Sequence, residues 1–475
     1  MTRNGSASLS WAGMLGATIA CVGIFGCADL TLPDYTAASL SLLERDPTPS
    51  AINTAVQGLP IGARASAADY AEIPDIFARN AYDLDTSNPS TVTAQLVGPL
   101  DGGGFGTGIG WATPYRNIQA AVTILRAVDV VGAALTDAQK EGIRGFAKTM
   151  MAYDFHGVIR THDLTGAPIA VDGLRSAPPA AIATKAEVYA NIVRLLDEAN
   201  VHLQNAGPSF TFALSSGFAG FNTPTTFARF NRALKARVDV DRGDYASALT
   251  SLSGSFLNPS PTALAALTTG VYHTFSASPG DLANPLFDPT GGHHLAHPSL
   301  ETDAQLTPAG TRDARYVRKV AVSTPRTLNG ITSARRFLVY GSVDAPIPYI
   351  RNEELILLRA EANIGVNTVA SRAAALADIN TIRTVSGGLA PLAADPGPGG
   401  TFSGDLLRDE LLYNKRYSLV YEYGERWVDL RRYGLLATLP KALATHHIFD
   451  HVPIPASECG ARDPKPTGCA QVNGI

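Results

Sequence analysis

The sequence predicts a mostly α-helical fold in which helix pairs are joined by long loops and short strands. Apolar residues recur at three- and four-residue intervals in several long stretches, the pattern of helices with one buried face. The 44 Gly and 31 Pro among 475 residues break these stretches with extended loops. Leu407 to Gly434 interleaves charges with aromatics, contains no Pro, and reads as two helices, the first buried on more than one face.

Taken in order, a first helix starts within Asp34–Arg45, and helical character resumes at Ala51 after the cap-like run Asp46-Pro47-Thr48-Pro49-Ser50. Arg79 to Gly110 reads as a long polar loop, the kind that is usually functional or disordered. Its Gly102-Gly103-Gly104-Phe105-Gly106 is no phosphate cradle, because no strand precedes it and no Lys-Ser/Thr opens a following helix. Trp111–Val130 is a helix. The next, begun by Thr136 and Asp137, turns Ile143, Phe146, Met150 and Tyr153 inward and is expected to end at His156-Gly157. Thr184 and Glu187 form a capping box for a helix reaching about Gln204.

Thr226–Val240, the turn Asp241–Tyr245 and Ala246–Leu252 resemble a tetratricopeptide hairpin. A second hairpin spans Arg351–Arg383, with Ala374, Leu376, Ile379 and Ile382 inward. Ser253–Pro348 between them reads as irregular. In the final stretch a helix is expected over Asp405–Tyr423, ended by Gly424 in a left-handed conformation. A short helix Glu425–Tyr433 follows, with Arg426 and Asp429 three apart and placed to pair.

A net charge of -4 with 17% charged residues gives no support for nucleic-acid binding. Trp11–Gly26 is apolar but too short for a membrane span of ~20 residues. Behind Arg3 it reads as a signal peptide, residues 1–26. The run Ile24-Phe25-Gly26-Cys27 looks like a bacterial lipobox, which assigns Cys27 as the lipid attachment residue. Each acyl methylene would add ~0.8 kcal/mol of anchoring. In an exported chain Cys459 and Cys469, ten apart in a Gly/Pro-rich tail, read as a disulfide.

Arg416, Leu419, Glu422, Gly424, Arg426, Trp427, Asp429, Leu430 and Arg432 follow an ordered signature that resembles the SusD/RagB family of outer-membrane nutrient-binding lipoproteins. Tyr423 stands where that family usually has a small residue, and Glu425 where His is common. Ile350–Leu355, Arg359–Asn363 and the Asn380-x-x-Arg383 ending resemble a second family signature. Trp111-x-x-x-Tyr115-x-x-Ile118 resembles an early helix, and Asn284–Phe287 and Asp313–Arg315 resemble shorter landmarks. The resemblance implies one SusD-like domain over 27–475, with tetratricopeptide-like helix pairs plus long loops and short strands. It also implies a lipid-anchored protein of the outer membrane, facing outward. Such a protein captures a glycan or peptide and passes it to a TonB-dependent transporter of the SusC type.

Site chemistry is weighed against that background. His293, His294 and His297 form a cluster, but Gly291-Gly292 and Pro298 flank it and no carboxylate lies at ligand spacing, so no metal is assigned. His446, His447 and His451 carry less. Glu353-Glu354 and Asp409-Glu410 sit within the signatures, where packing and ion pairs explain them. No nucleophile elbow and no His-Glu-x-x-His helix occurs. The expectation is therefore a binding protein with no catalytic residues and no cofactor. Sugars present apolar C–H faces to aromatic rings and hydroxyls to polar side chains. On that chemistry the candidate ligand-binding residues are Tyr82, Asp83, Asn88, Phe105, Trp111, Tyr272 and Phe275, although each aromatic also suits a packed interior. Two rival readings are a surface glycoside hydrolase, recognisable by two carboxylates facing one cleft ~5–9.5 Å apart, and a helical-repeat adaptor that binds protein.

Overall fold

Helix ends are set where side chains can satisfy the first free backbone amides. Thr48 accepts from the Ala51 amide, and Pro49 opens the helix Pro49–Arg64. Reciprocal capping boxes start Asp137–His162 at Thr136, Lys185–Asn205 at Thr184, Pro224–Asp241 at Thr223 and Val369–Thr381 at Thr368. Asp244 caps Tyr245–Ser253, and Asp405 caps Leu406–Leu419. This computed structural model describes residues 40–103, 110–173 and 177–475. Cys27, the 1–26 leader and Phe105 lie outside the described residues. Among the described residues no helix is long and apolar enough to cross a membrane.

The long helices pack in chain order. Ala112–Val130 lies on 137–162, which lies on 185–205, then 224–241, 245–253, Asn352–Val366 and 369–381. The two hairpins expected from sequence are adjacent, because 245–253 packs on 352–366. Gly365 allows a close approach: a Cβ there would sit 2.1 Å from Cδ2 of Tyr245. Phe146, Phe212, Phe218, Phe227, Phe230 and Tyr349 fill the space between 137–162, 224–241 and the strands behind them.

Strands β1 (Ala81–Asp83), β2 (Ala167–Pro168), β3 (Ile182–Ala183), β4 (Gly270–His273), β5 (His294–Ala296), β6 (Val320–Leu328), β7 (Ile331–Phe337) and β8 (Ile347–Arg351) complete the fold. They form an antiparallel sheet of order β1-β5-β7-β6 and two pairs, β2-β3 and β4-β8.

Several sequence expectations need correction. Ser253–Pro348 is not irregular, since it carries β4 to β7. The β6–β7 hairpin turns at Asn329-Gly330, both with positive φ, as a two-residue hairpin requires. Arg79–Gly110 holds β1 and helical turns over Ser90–Val97. The helix begun at Asp137 does not stop at His156-Gly157 but runs to His162. Gly157 is there for close packing, because a Cβ would meet the Tyr70 hydroxyl oxygen at 2.3 Å. Ala374 is exposed, and Ala375 is the residue facing inward. The helix before Gly424 ends at Leu419. Tyr421 adopts φ 64° in the link, and left-handed Gly424 precedes Glu425–Arg432 rather than closing the earlier helix. Arg426 does not pair with Asp429.

Asp429 instead belongs to a buried ionic lattice that joins the signatures. Lys415 Nζ lies 2.8 Å from both Glu361 and Asp429, and Arg432 reaches the same two carboxylates at 2.6 Å. Arg160 holds Glu425 at 2.8 Å, Arg237 holds Glu354 at 2.5 Å, and His156 meets Asp241 at 2.9 Å. Charges removed from water this completely persist only when paired. The charged letters of the signatures therefore fasten 137–162, 224–241, 352–366, 406–419 and 425–432 together. The tail is closed by a Cys459–Cys469 disulfide.

Candidate functional site

A cavity of about 380 Å³ opens between helix 49–64, the loop 213–218 and strand β4, with Tyr349 of β8 behind it. Each wall is fixed by local chemistry. Gln57 Nε2 donates to the Ala213 carbonyl (3.1 Å), and Asn53 Nδ2 donates to that of Thr211 (3.1 Å), so the loop is tied along the helix. The turn Ser216–Phe218 lies flat on β4 because residue 217 has no side chain: a Cβ there would fall 2.0 Å from the Tyr272 carbonyl oxygen. Arg64 closes one end. Its Nη1 donates to Thr274 O (2.6 Å), its Nη2 pairs with Asp281 (2.5 Å), and its guanidinium covers the Phe275 ring at 5.6 Å.

Behind the cavity His273 stacks on Tyr349 with ring centroids 3.5 Å apart, and its Nε2 shares a hydrogen bond with the Tyr153 hydroxyl (3.1 Å). Burial, reinforced by Arg64, drives the His273 pKa well below the ordinary imidazole value, so the ring is neutral at pH 7. Burial likewise holds the Tyr349 phenol protonated. Three buried polar atoms of the lining find no hydrogen-bond partner among the described residues: Arg64 Nε, His273 Nδ1 and the Tyr349 hydroxyl. Leaving such a group unsatisfied costs about 1–3 kcal/mol, so three around one cavity mark a place prepared for a polar guest. Ile61, 59% exposed, and half-buried Tyr272 add apolar surface. The lining residues include no Asp or Glu.

Of the residues singled out from sequence, the fold brings two here. Tyr272 lines the cavity with its hydroxyl bonded to Thr268 O, and Phe275 is buried under Arg64. Tyr82 is not a loop platform: it is on β1, 2% exposed, against the His297 ring at 4.9 Å. Asp83 lies 3.7 Å from His293 and accepts from the Asp85 amide, and Asn88 accepts from the Ser90 hydroxyl (2.6 Å). Trp111 is buried against Tyr115 and His162, at the edge of a separate groove of about 690 Å³. The histidine cluster does not converge on a common point. His294 is ion-paired with Glu72; burial disfavours its charge, but that carboxylate together with Asp83 and Asp288 lifts the pKa to about 9. His297 is lowered to about 3 by burial and Arg416. Among the described residues no group of three metal-ligating side chains occurs.

Sequence reasoning missed Gln57, Arg64, His273 and Tyr349. Only the last carried a usable signal, being the aromatic that leads into the Arg351–Arg383 hairpin, one residue before the quoted signature begins.

Residues 338–463 match the SusD family (SusD_RagB). No curated protein sequence matches the chain. Its fold is that of SusD superfamily structures. One, a SusD superfamily protein from Bacteroides vulgatus, is 15% identical with a TM-score of 0.66, covering 88% of this chain and 98% of its own. A SusD-like carbohydrate binding protein from Bacteroides fragilis is 16% identical with a TM-score of 0.65, covering 90% and 94%. A laminarin binding SusD-like protein is 14% identical with a TM-score of 0.61, covering 89% and 100%.

Proposed function

We propose that this chain, with a SusD fold matched over 88% of its length and a SusD family match over 338–463, is a non-catalytic glycan-capturing lipoprotein. Acylated at Cys27, it would sit on the outer membrane facing outward and pass its ligand to a TonB-dependent, SusC-like transporter. The observation that carries the ligand reading is the cavity beside β4, with its three unpartnered polar atoms. Two of them are on neutral side chains, and the Arg64 charge is already matched by Asp281. A sugar hydroxyl can both donate and accept, so it satisfies either tautomer of His273 as well as the phenol and the guanidinium N–H. Ile61 and the Tyr272 ring suit the C–H face of a pyranose. The carbohydrate- and laminarin-binding relatives support the same ligand class. At the cavity beside β4 the lining without carboxylates favours capture over hydrolysis, which needs two of them.

The test is Tyr349→Phe in the soluble chain starting at Ala28, titrated calorimetrically with oligosaccharides while the same samples are analysed for products. Removing an unpartnered hydroxyl leaves the free protein equally or more stable, by up to about 1–3 kcal/mol. Removing the ligand's partner weakens binding by about tenfold, or ~1.4 kcal/mol. Unchanged affinity would overturn this placement of the site, and cleavage products would overturn the capture reading.

A further inference from the structure

A second pocket, of about 290 Å³, lies where the two family-signature helices meet. Leu412, Tyr413 and Arg416 of 406–419 form one side, Arg426, Asp429 and Leu430 of 425–432 another, and Asp303, Phe402 and Asp409 complete it. Arg416 is fully engaged, with Asp303 (2.7 Å), Ser299 (2.6 Å) and Asn80 (3.0 Å). Arg426 is not. Its Nη1 makes one long contact to Asn80 (3.5 Å), and its buried Nε has no partner among the described residues. Asp429 is 1% exposed, and both its cationic neighbours, Lys415 and Arg432, hold Oδ1, while the buried Oδ2 is unpartnered. Asp409 uses Oδ1 to accept from the Ser403 amide. A donor and an acceptor thus stand unsatisfied on two side chains that line one pocket, which also holds the Phe402 ring, 36% exposed.

We propose that this pocket is a second carbohydrate site, taking one uncharged sugar residue. The lining carries two guanidinium groups and three carboxyl groups, so a charged ligand of either sign meets like charge within the pocket. A polyol meets no such penalty. One hydroxyl donates to Asp429 Oδ2, a hydroxyl oxygen accepts from Arg426 Nε, and Phe402 covers a C–H face. The volume lies at the small end of ligand cavities, which limits the guest to a single ring. The ligand class is that of the proposed function, but the site shares no lining residue with the cavity beside β4.

The experiment uses the full chain from Ala28 and saturation-transfer NMR, with glucose, galactose, mannose, xylose and N-acetylglucosamine as probes. The first cavity is blocked with Ile61→Arg, a substitution at an exposed position, and this protein is compared with versions that also carry Arg426→Gln or Phe402→Ala. Among the described residues the Arg426 side chain makes only the Asn80 hydrogen bond, and Phe402 is partly exposed, so both versions fold; circular dichroism and melting curves check this. Transfer to at least one sugar persists in the blocked protein and falls at least about fivefold with each added substitution, since each removes one hydrogen bond or one ring contact to the sugar. Three results overturn the proposal: no transfer in the unsubstituted chain, complete loss with Ile61→Arg alone, or transfer in the blocked protein that ignores Arg426→Gln and Phe402→Ala. Complete loss with Ile61→Arg alone leaves the proposed function standing. Loss restricted to the Arg426 and Phe402 substitutions instead overturns the cavity beside β4 as the capture site.

Discussion

Replacing Asp75 with asparagine should change how stability depends on pH, by an amount the structure sets. Asp75, on the helix Ala67–Phe77, is 1% exposed. Its Oδ1 accepts from Asn80 Nδ2 (3.0 Å) and its Oδ2 from the Tyr421 amide, the residue whose φ of 64° starts the approach to Gly424. Burial raises its pKa from 3.8 to about 7, although Asn80, Tyr421, Lys319 and Arg416 all favour the carboxylate. Between pH 3.8 and about 7 the unfolded chain has released this proton and the folded chain still holds it. The folded state then binds more protons, so stability falls as pH rises, by about 1.4 kcal/mol per pH unit and roughly 4 kcal/mol over the window, and is flat above it. The Asp75→Asn side chain keeps an acceptor for the Tyr421 amide but does not titrate. Urea unfolding of both proteins at pH 4.5, 5.5, 6.5 and 7.5 cancels the other titrating groups in the difference. The variant should gain on the parent steadily up to about pH 7 and then hold level. A difference that stays constant across the series would show that Asp75 is ionised throughout, and that its two hydrogen bonds overcome burial.

Three further outcomes are expected. Lys415→Met leaves Glu361 and Asp429 facing each other without their shared ammonium, and denaturant titration should show a loss of about 3–5 kcal/mol, smaller in acid where the carboxylates can protonate. Gly365→Ala drives a methyl into the Tyr245 ring, 2.1 Å away; overpacking of this kind costs about 1–3 kcal/mol, seen as a lower melting temperature, and Tyr245→Ala should relieve it. Cys459→Ser with Cys469→Ser opens a short loop whose closure is worth about 2.5–3 kcal/mol on chain entropy; the melting temperature should drop to that of the reduced parent.

Much of the scaffold was legible because its signals are local. A capping box needs only a Thr and its third neighbour, so Thr184 with Glu187 marked a helix start correctly. The tetratricopeptide-like hairpins showed through periodicity, and the charged signature showed through its order of letters. Reading failed where the partner is distant. Gly157 looked like a terminus because nothing nearby in sequence reveals the Tyr70 hydroxyl against it. Arg426 and Asp429 looked like a pair at helical spacing, but Lys415 and Arg432 offer Asp429 a closer arrangement. The Asn329-Gly330 turn was a local signal left unused.

The sequence by itself determined the helix pairs, the Thr184 capping box and the signature that the family match covers, because each depends on residues within a few positions of one another. Only the tertiary structure decided the site. Gln57 and Arg64 come from one helix, Ala213 to Phe218 from a loop, His273 and Tyr349 from paired strands. No spacing rule links these segments. Whether a buried phenol or imidazole is satisfied depends on what the fold sets against it, so their unmet hydrogen bonds exist only once the chain is folded.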